Sequence, residues 1–85
     1  MKDFSIVISN RVARNIRRLP KNVQKRIANK IGLIPVQPQL LDIKKMVGME
    51  DTYRLRVGDY RILFLIDFEK KLVKISDINT RGRIY

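Results

Sequence analysis

The chain has 85 residues, of which 45% are hydrophobic, 19 are Lys or Arg and eight are Asp or Glu. This length and hydrophobic content predict one folded domain over residues 1–85 with a single modest core, and they exclude a disordered tail. His and Cys are both absent, which removes the commonest general base, the commonest metal ligand and any thiolate or disulfide chemistry.

Charge and hydropathy narrow the class of partner. The net charge of +11 predicts a polyanionic partner, with nucleic acid ahead of an acidic protein and of an anionic membrane surface. No apolar run approaches the roughly 20 residues of a membrane helix. The N-terminal residues lack the apolar core and cleavage site of a signal peptide. We therefore expect a cytoplasmic protein that does not enter a membrane.

The first half of the chain predicts a strand followed by two helices. Residues 4–8 have the apolar content of a short strand, and Ser9 and Asn10 can then cap a helix. Apolar residues recur at helical spacing on both sides of Pro20, which separates the two helices because it has no N–H to donate. Gly32 and Pro35 close the second helix. The pattern indicates an antiparallel helical hairpin.

This helical hairpin is unusually basic. Residues 11–30 contain eight Lys or Arg and no Asp or Glu. Ordinary solvated helices mix both signs of charge, because opposite charges four residues apart support each other. Two interpretations stay open: a solvated outer face, or a surface that contacts phosphates or an acidic partner.

The second half of the chain predicts strands. Residues 35–51 are irregular, with a short strand or turn near residues 40–44, and three strands then follow at 53–57, 60–67 and 72–78. We therefore predict an α+β fold of the βααβββ type. It would have an antiparallel sheet of about four strands and the helical hairpin packed on one face.

The segment YRLRVGDYRILF predicts a β-hairpin with an arginine cluster on one face. A type II′ turn at Gly58-Asp59 would pair Val57 with Tyr60 and Arg56 with Arg61. Alternation then places the apolar and aromatic residues on the face toward the helices and leaves Arg54, Arg56 and Arg61 on the other.

Like charges directly across a hairpin repel, at a cost of about 0.2–1 kcal/mol. An anion held between the arginines would reverse that effect, since the planar guanidinium group suits phosphate oxygens. The alternative is a surface network in which Asp59 and Asp77 neutralise the cluster. If the last strand pairs with residues 60–67, the C-terminal residues Arg81, Arg83 and Tyr85 would lie near the same face. Tyr85 is either a plain hydrophobic end or a group that stacks on a base or binds a ribose.

The segments YRLRVGDYRILFLID and LVKISDINTRGRIY, together with the basic helical hairpin, resemble the RelE/ParE superfamily of toxins, and RelE most of all. The resemblance implies a type II toxin that cleaves messenger RNA on the ribosomal A site without a metal or other cofactor. It also implies inhibition by an acidic RelB-like antitoxin, in a heterodimer or heterotetramer.

Carried over by position, the resemblance implies that Arg61, Arg81 and Tyr85 are catalytic. Arg61 would stabilise charge on the scissile phosphate, Arg81 would assist at the phosphate or leaving group, and Tyr85 would orient or deprotonate the 2′-hydroxyl or stack on the base. The predicted RNA-binding residues are Arg54, Arg56, Lys44, Lys45 and Arg83.

Thr80 stands where many relatives have His or Lys. This difference keeps two alternatives open. One is a ParE-type inhibitor of DNA gyrase, and the other is a nucleic-acid-binding homologue with weakened catalysis.

Overall fold

The computed structural model describes residues 1–80. Two helices and five strands follow one another in the order βααββββ. Their bounds are β1 Ser5–Ile8, α1 Asn10–Arg17, α2 Lys21–Leu33, β2 Asp42–Lys45, β3 Thr52–Val57, β4 Tyr60–Asp67 and β5 Leu72–Thr80, with a short 3-10 turn at Pro38–Leu40.

The five strands form one sheet in the order β1-β5-β4-β3-β2. The α+β class and the helical hairpin are confirmed, but the sheet differs from the prediction in two details. Strand β2 is a fifth strand, at the position where the sequence left a strand or a turn open. Strand β1 pairs with β5 in parallel, so the sheet is mixed, while the other three pairings are antiparallel. Whether two strands pair in parallel or antiparallel depends on the long-range topology, and the local alternation of side chains carries no information about it.

The helix starts follow the predicted signals, but Gly32 lies inside α2 and does not close it, because its φ is not positive and the helix continues to Leu33. The Ser9 hydroxyl accepts a hydrogen bond from the Val12 amide at 3.2 Å, which caps the first turn of α1. Pro20 lies directly before α2 in an extended conformation. Helix α1 therefore begins after a residue whose side chain satisfies a free backbone amide, and α2 begins after a proline, which has no backbone N–H to satisfy.

The core lies between the helices and one face of the sheet. Its buried side chains come from both layers: Val12, Ile27, Ile31, Ile34, Leu55, Val57, Ile62, Phe64, Ile66, Val73 and Ile75. Tyr53 stacks on Phe64 with ring centroids 5.5 Å apart, which joins β3 to β4 on the core side. The opposite face of the sheet carries no helix within residues 1–80 and is free for a functional site.

Within residues 1–80, no helix is both long enough and apolar enough to cross a bilayer.

Candidate nucleic-acid interface

The β3–β4 hairpin has the predicted register. Val57 pairs with Tyr60 and Arg56 with Arg61, on either side of the Gly58-Asp59 turn. Gly58 has a φ of +57°, and Asp59 does not have a positive φ. One positive φ at the first central residue is the pattern of a type II′ turn, which matches the right-handed twist of the two strands.

Alternation along this hairpin separates core from surface as expected. Leu55, Val57, Ile62, Phe64 and Ile66 are buried, with Tyr53 and Tyr60 half-buried beside them. Arg54, Arg56 and Arg61 project from the other side and are each half-buried. We call these three residues and the sheet surface around them the arginine face.

Neighbouring strands complete the arginine face, because directly paired residues point to the same side of a sheet. Two rows cross the sheet here: Asp42, Arg56, Arg61 and Asn79 in one, and Lys44, Arg54, Leu63 and Asp77 in the other. The sequence alone did not indicate that Asp42 and Asn79 belong to the site. Both lie in strands whose pairing partners depend on the whole topology.

Arg54 is largely enclosed and forms an ion pair with Asp42. Its side chain is 18% exposed and donates a hydrogen bond to the Asp42 carboxylate at 3.0 Å. Its Nε is buried and has no hydrogen-bond partner within residues 1–80. A buried donor without an acceptor is costly, so an anion that reaches this nitrogen would gain a strong interaction.

Arg56 makes no hydrogen bond and no ion pair with the described residues. It lies beside Asp42 on one side and Arg61 on the other. Asn79 lies on the far side of Arg61, and its side-chain nitrogen is buried without an acceptor in the described part of the chain. The arginine and asparagine side chains of this row can therefore donate hydrogen bonds to an anion bound on the sheet.

Of the two acidic residues in the surface network that the sequence left open, Asp77 accepts hydrogen bonds from groups outside the arginines of the face. Asp77 accepts hydrogen bonds from Arg11 of α1 at 3.3 Å and from the Ile78 amide. Asp42 is the carboxylate that pairs with an arginine of the face, through Arg54.

The structure places the other candidate residues as follows. Lys44 pairs with Arg54 and shares the arginine face, whereas Lys45 pairs with Tyr53 and points to the opposite side of the sheet. Arg81, Arg83 and Tyr85 lie outside the described residues.

The basic helical hairpin is also uncompensated. Of its eight Lys and Arg residues, only Arg11 forms an ion pair within residues 1–80. Within the described residues 1–80, no cluster of three acidic or other metal-ligating side chains is present. The chemistry that these surfaces offer is the binding of anions through guanidinium and ammonium groups.

The chain is thus a small basic α+β protein with a helical hairpin on one side of its sheet and an arginine cluster on the other. The profile of the ParE toxins of type II toxin–antitoxin systems matches residues 6–85. The chain therefore belongs to this toxin family, within the RelE/ParE superfamily.

Similar proteins are RelE toxins. The chain is 26% identical over 85 residues to RelE1 of Methanocaldococcus jannaschii, covering 96% of this chain and 94% of that protein. It is similar to the archaeal RelE in a RelE–RelB complex from Pyrococcus horikoshii, with 28% identity, a TM-score of 0.82 and coverage of 95% and 98%. The isolated RelE toxin of E. coli shares the fold, with 20% identity, a TM-score of 0.78 and coverage of 95% and 87%. The chain is thus a toxin of the RelE/ParE superfamily from a type II toxin–antitoxin system, and it is similar to RelE toxins.

Proposed function

We propose that this toxin is a metal-independent endoribonuclease that cleaves messenger RNA, on the ribosomal A site, and that an acidic RelB-like antitoxin inhibits it. The observation that carries the proposal is the arginine face. Arg56 and Arg61 are direct cross-strand partners, and Arg54 lies diagonal to Arg61 with a buried, unsatisfied Nε. Three guanidinium groups on one sheet surface form a site for a phosphodiester.

The reaction that fits such a site uses the RNA as its own nucleophile. The 2′-oxygen forms a bond to the adjacent phosphorus, and the bond from phosphorus to the 5′-oxygen breaks. The 2′-hydroxyl loses its proton and the leaving 5′-oxygen gains one. The products are a 2′,3′-cyclic phosphate and a free 5′-hydroxyl. Negative charge grows on the phosphoryl oxygens in the transition state, where arginine side chains stabilise it.

In this proposal Arg61 stabilises the scissile phosphate, and Arg54 and Arg56 hold it in place. Lys44 and Arg83 bind the RNA strand, whereas Lys45 points to the opposite side of the sheet and is not included. The family resemblance assigns Arg81 to the phosphate or leaving group and Tyr85 to the 2′-hydroxyl or the base. Because the chain has no His or Cys, electrostatic stabilisation has the main role, and loss of one donor is expected to cost about 10²–10³ in rate.

The test is the mapping of cleavage sites on translating ribosomes by primer extension. We expect cuts at A-site codons with the wild-type toxin and a loss of about 10²–10³ in cleavage rate for Arg61→Ala. Arg14→Ala is the matched control, since it removes an exposed arginine of α1 that has no ion pair within residues 1–80. Intact messages at toxic levels of the wild-type protein would contradict the proposal.

The antitoxin belongs to the proposal because solved relatives include RelE–RelB complexes. The net charge of +11 calls for an acidic partner, which we propose covers the arginine face in a heterodimer or heterotetramer.

The name of the matching family supports a second candidate, inhibition of DNA gyrase, since the profile is that of ParE toxins. Supercoiling assays with purified gyrase separate the two candidates. Trapped gyrase–DNA cleavage complexes together with uncut messages would favour the gyrase target.

A further inference from the structure

A basic pocket lies at the end of the sheet, where α2, the start of β2 and the Gly58 turn meet. Its volume is about 260 Å³, and its lining includes Arg26, Lys30, Asp42, Arg56 and Gly58. Arg56 therefore belongs both to the arginine face and to this pocket. None of the family positions carried over from the sequence lies on α2.

Gly58 allows the pocket to form. A β-carbon at this position would lie 2.9 Å from a terminal nitrogen of Arg26 and 3.6 Å from its Cζ. The guanidinium group of Arg26 thus packs directly over the backbone of the turn. The same glycine supplies the positive φ of the hairpin and the space for an arginine from the other layer.

The charges of the pocket are not balanced. Arg26, Lys30 and Arg56 make no ion pair and no hydrogen bond within residues 1–80. The one carboxylate in the lining, that of Asp42, accepts a hydrogen bond from Arg54 outside the pocket. Three cations held close together repel each other, and a bound anion would relieve that repulsion.

We propose that Arg26, Lys30 and Arg56 form a second phosphate-binding pocket, which holds a backbone phosphate of the RNA next to the one on the arginine face. The inference rests on the proposed function. RNA is favoured over an acidic protein because Arg56 connects the pocket to the arginine face, so that one strand could follow both. The pocket would extend the RNA path around the end of the sheet as far as Arg26 and Lys30 of α2.

The test compares two pairs of substitutions that remove equal charge. Arg26→Gln with Lys30→Gln alters the pocket, and Arg14→Gln with Lys21→Gln alters exposed residues elsewhere on the helices. Binding to a short single-stranded RNA is measured by fluorescence anisotropy at several salt concentrations. Every 2′-hydroxyl of this RNA is methylated, so that it cannot be cleaved. Thermal unfolding by circular dichroism confirms that both variants are folded.

We expect the pocket variant to bind about tenfold more weakly, as for the loss of a charge-assisted hydrogen bond. We expect the slope of log affinity against log salt to become shallower by about 0.7 for the one lost phosphate contact. The control variant should lose clearly less affinity at the same net charge.

Three results would overturn the inference. An equal loss in both variants would show that net charge alone acts, and RNA cleavage by the wild type would then still support the proposed function. A selective loss of binding to poly-glutamate, with RNA binding unchanged, would assign the pocket to an acidic protein. Failure of the wild-type protein to bind this RNA would remove the pocket as an RNA site, and cleavage on translating ribosomes would then decide the proposed function by itself.

Discussion

Asp42 lies directly opposite Arg56 in the sheet, yet its carboxylate accepts a hydrogen bond from Arg54, two residue pairs further along, at 3.0 Å. The consequence is an unequal distribution of charge on the arginine face. Arg54 is held by an internal acid, whereas Arg56 is left without a counter-charge within residues 1–80. The face thus combines a positioned arginine with one that is available to an anion.

Asp42→Asn should strengthen RNA binding. The substitution removes the carboxylate that pairs with Arg54, and it releases Arg54 for the ligand. Because the Asp42 side chain is 58% exposed, we expect a change of about two- to fivefold, consistent with a surface ion pair of up to about 1 kcal/mol. Anisotropy titration with the methylated RNA measures this change. Weaker binding than wild type would mean that Asp42 is needed to orient Arg54.

Arg56→Gln should make the toxin more stable and less able to bind RNA. Relief of the repulsion between Arg56 and Arg61 is expected to raise the free energy of unfolding by about 0.2–1 kcal/mol. The lost phosphate contact should weaken RNA binding about tenfold. Urea unfolding and anisotropy are measured on the same preparation. A fall in both stability and affinity would indicate that Arg56 has a structural role instead.

The hairpin could be predicted residue by residue because its information is local. The Gly58 turn fixes the register, and alternation then assigns each side chain to a face. The pairing of β1 with β5 could not be predicted, since it joins residues far apart in the chain. Asp42 was missed for a related reason: β2 has four residues, of which only Ile43 is half-buried, so its alternation is too short to identify a strand.

The middle of β5 shows the same limit on a smaller scale. Leu63 pairs with Asp77 while Phe64 pairs with Ile75, which leaves Ser76 as an extra residue in the strand. The Ser76 hydroxyl donates a hydrogen bond to the Leu63 carbonyl at 3.2 Å. This bulge brings Asn79 opposite Arg61, and nothing in the sequence pattern predicts it.

Two glycine substitutions should have opposite effects on stability. Gly58→Ala places a β-carbon at a positive φ and 2.9 Å from Arg26, so we expect a loss of about 1–2 kcal/mol in the free energy of unfolding. Gly32→Ala lies in α2 with no atom within 4 Å of the new β-carbon, and we expect a gain of about 0.5–1 kcal/mol. Urea unfolding compares the two. A loss in both would mean that Gly32 is packed more closely than the structure indicates.

The Asp3–Lys71 ion pair, with its 2.7 Å contact, should make a small and pH-dependent contribution to stability. The hydrogen bond from Lys71 lowers the pKa of Asp3, and the same bond raises the pKa of Lys71. The Asp3 contribution is therefore present above the unfolded-state pKa of 3.8 and is lost as the pH falls through the lower folded-state value. The Lys71 contribution is present below 10.5 and is lost as the pH rises through the raised folded-state value.

Asp3→Asn is the variant that tests this ion pair. Its melting temperature should be slightly below that of the wild type at neutral pH, and the two should converge in acid. Both side chains are about 60% exposed, so added salt should shrink the difference at neutral pH as well. A difference that persists below the folded-state pKa of Asp3 would have to come from another interaction of that residue.

An acidic antitoxin should protect the arginine face from chemical modification. Phenylglyoxal modifies accessible guanidinium groups, and mass spectrometry of peptides reports each site separately. We expect modification of Arg56 and Arg61 to fall at least about fivefold in the complex, since burial in a charged interface removes them from solvent. Arg14 on α1 is the internal control and should react equally in the free and bound toxin. Unchanged modification of the face in an inhibited complex would place the antitoxin elsewhere, and inhibition would then have to act on residues outside this sheet surface.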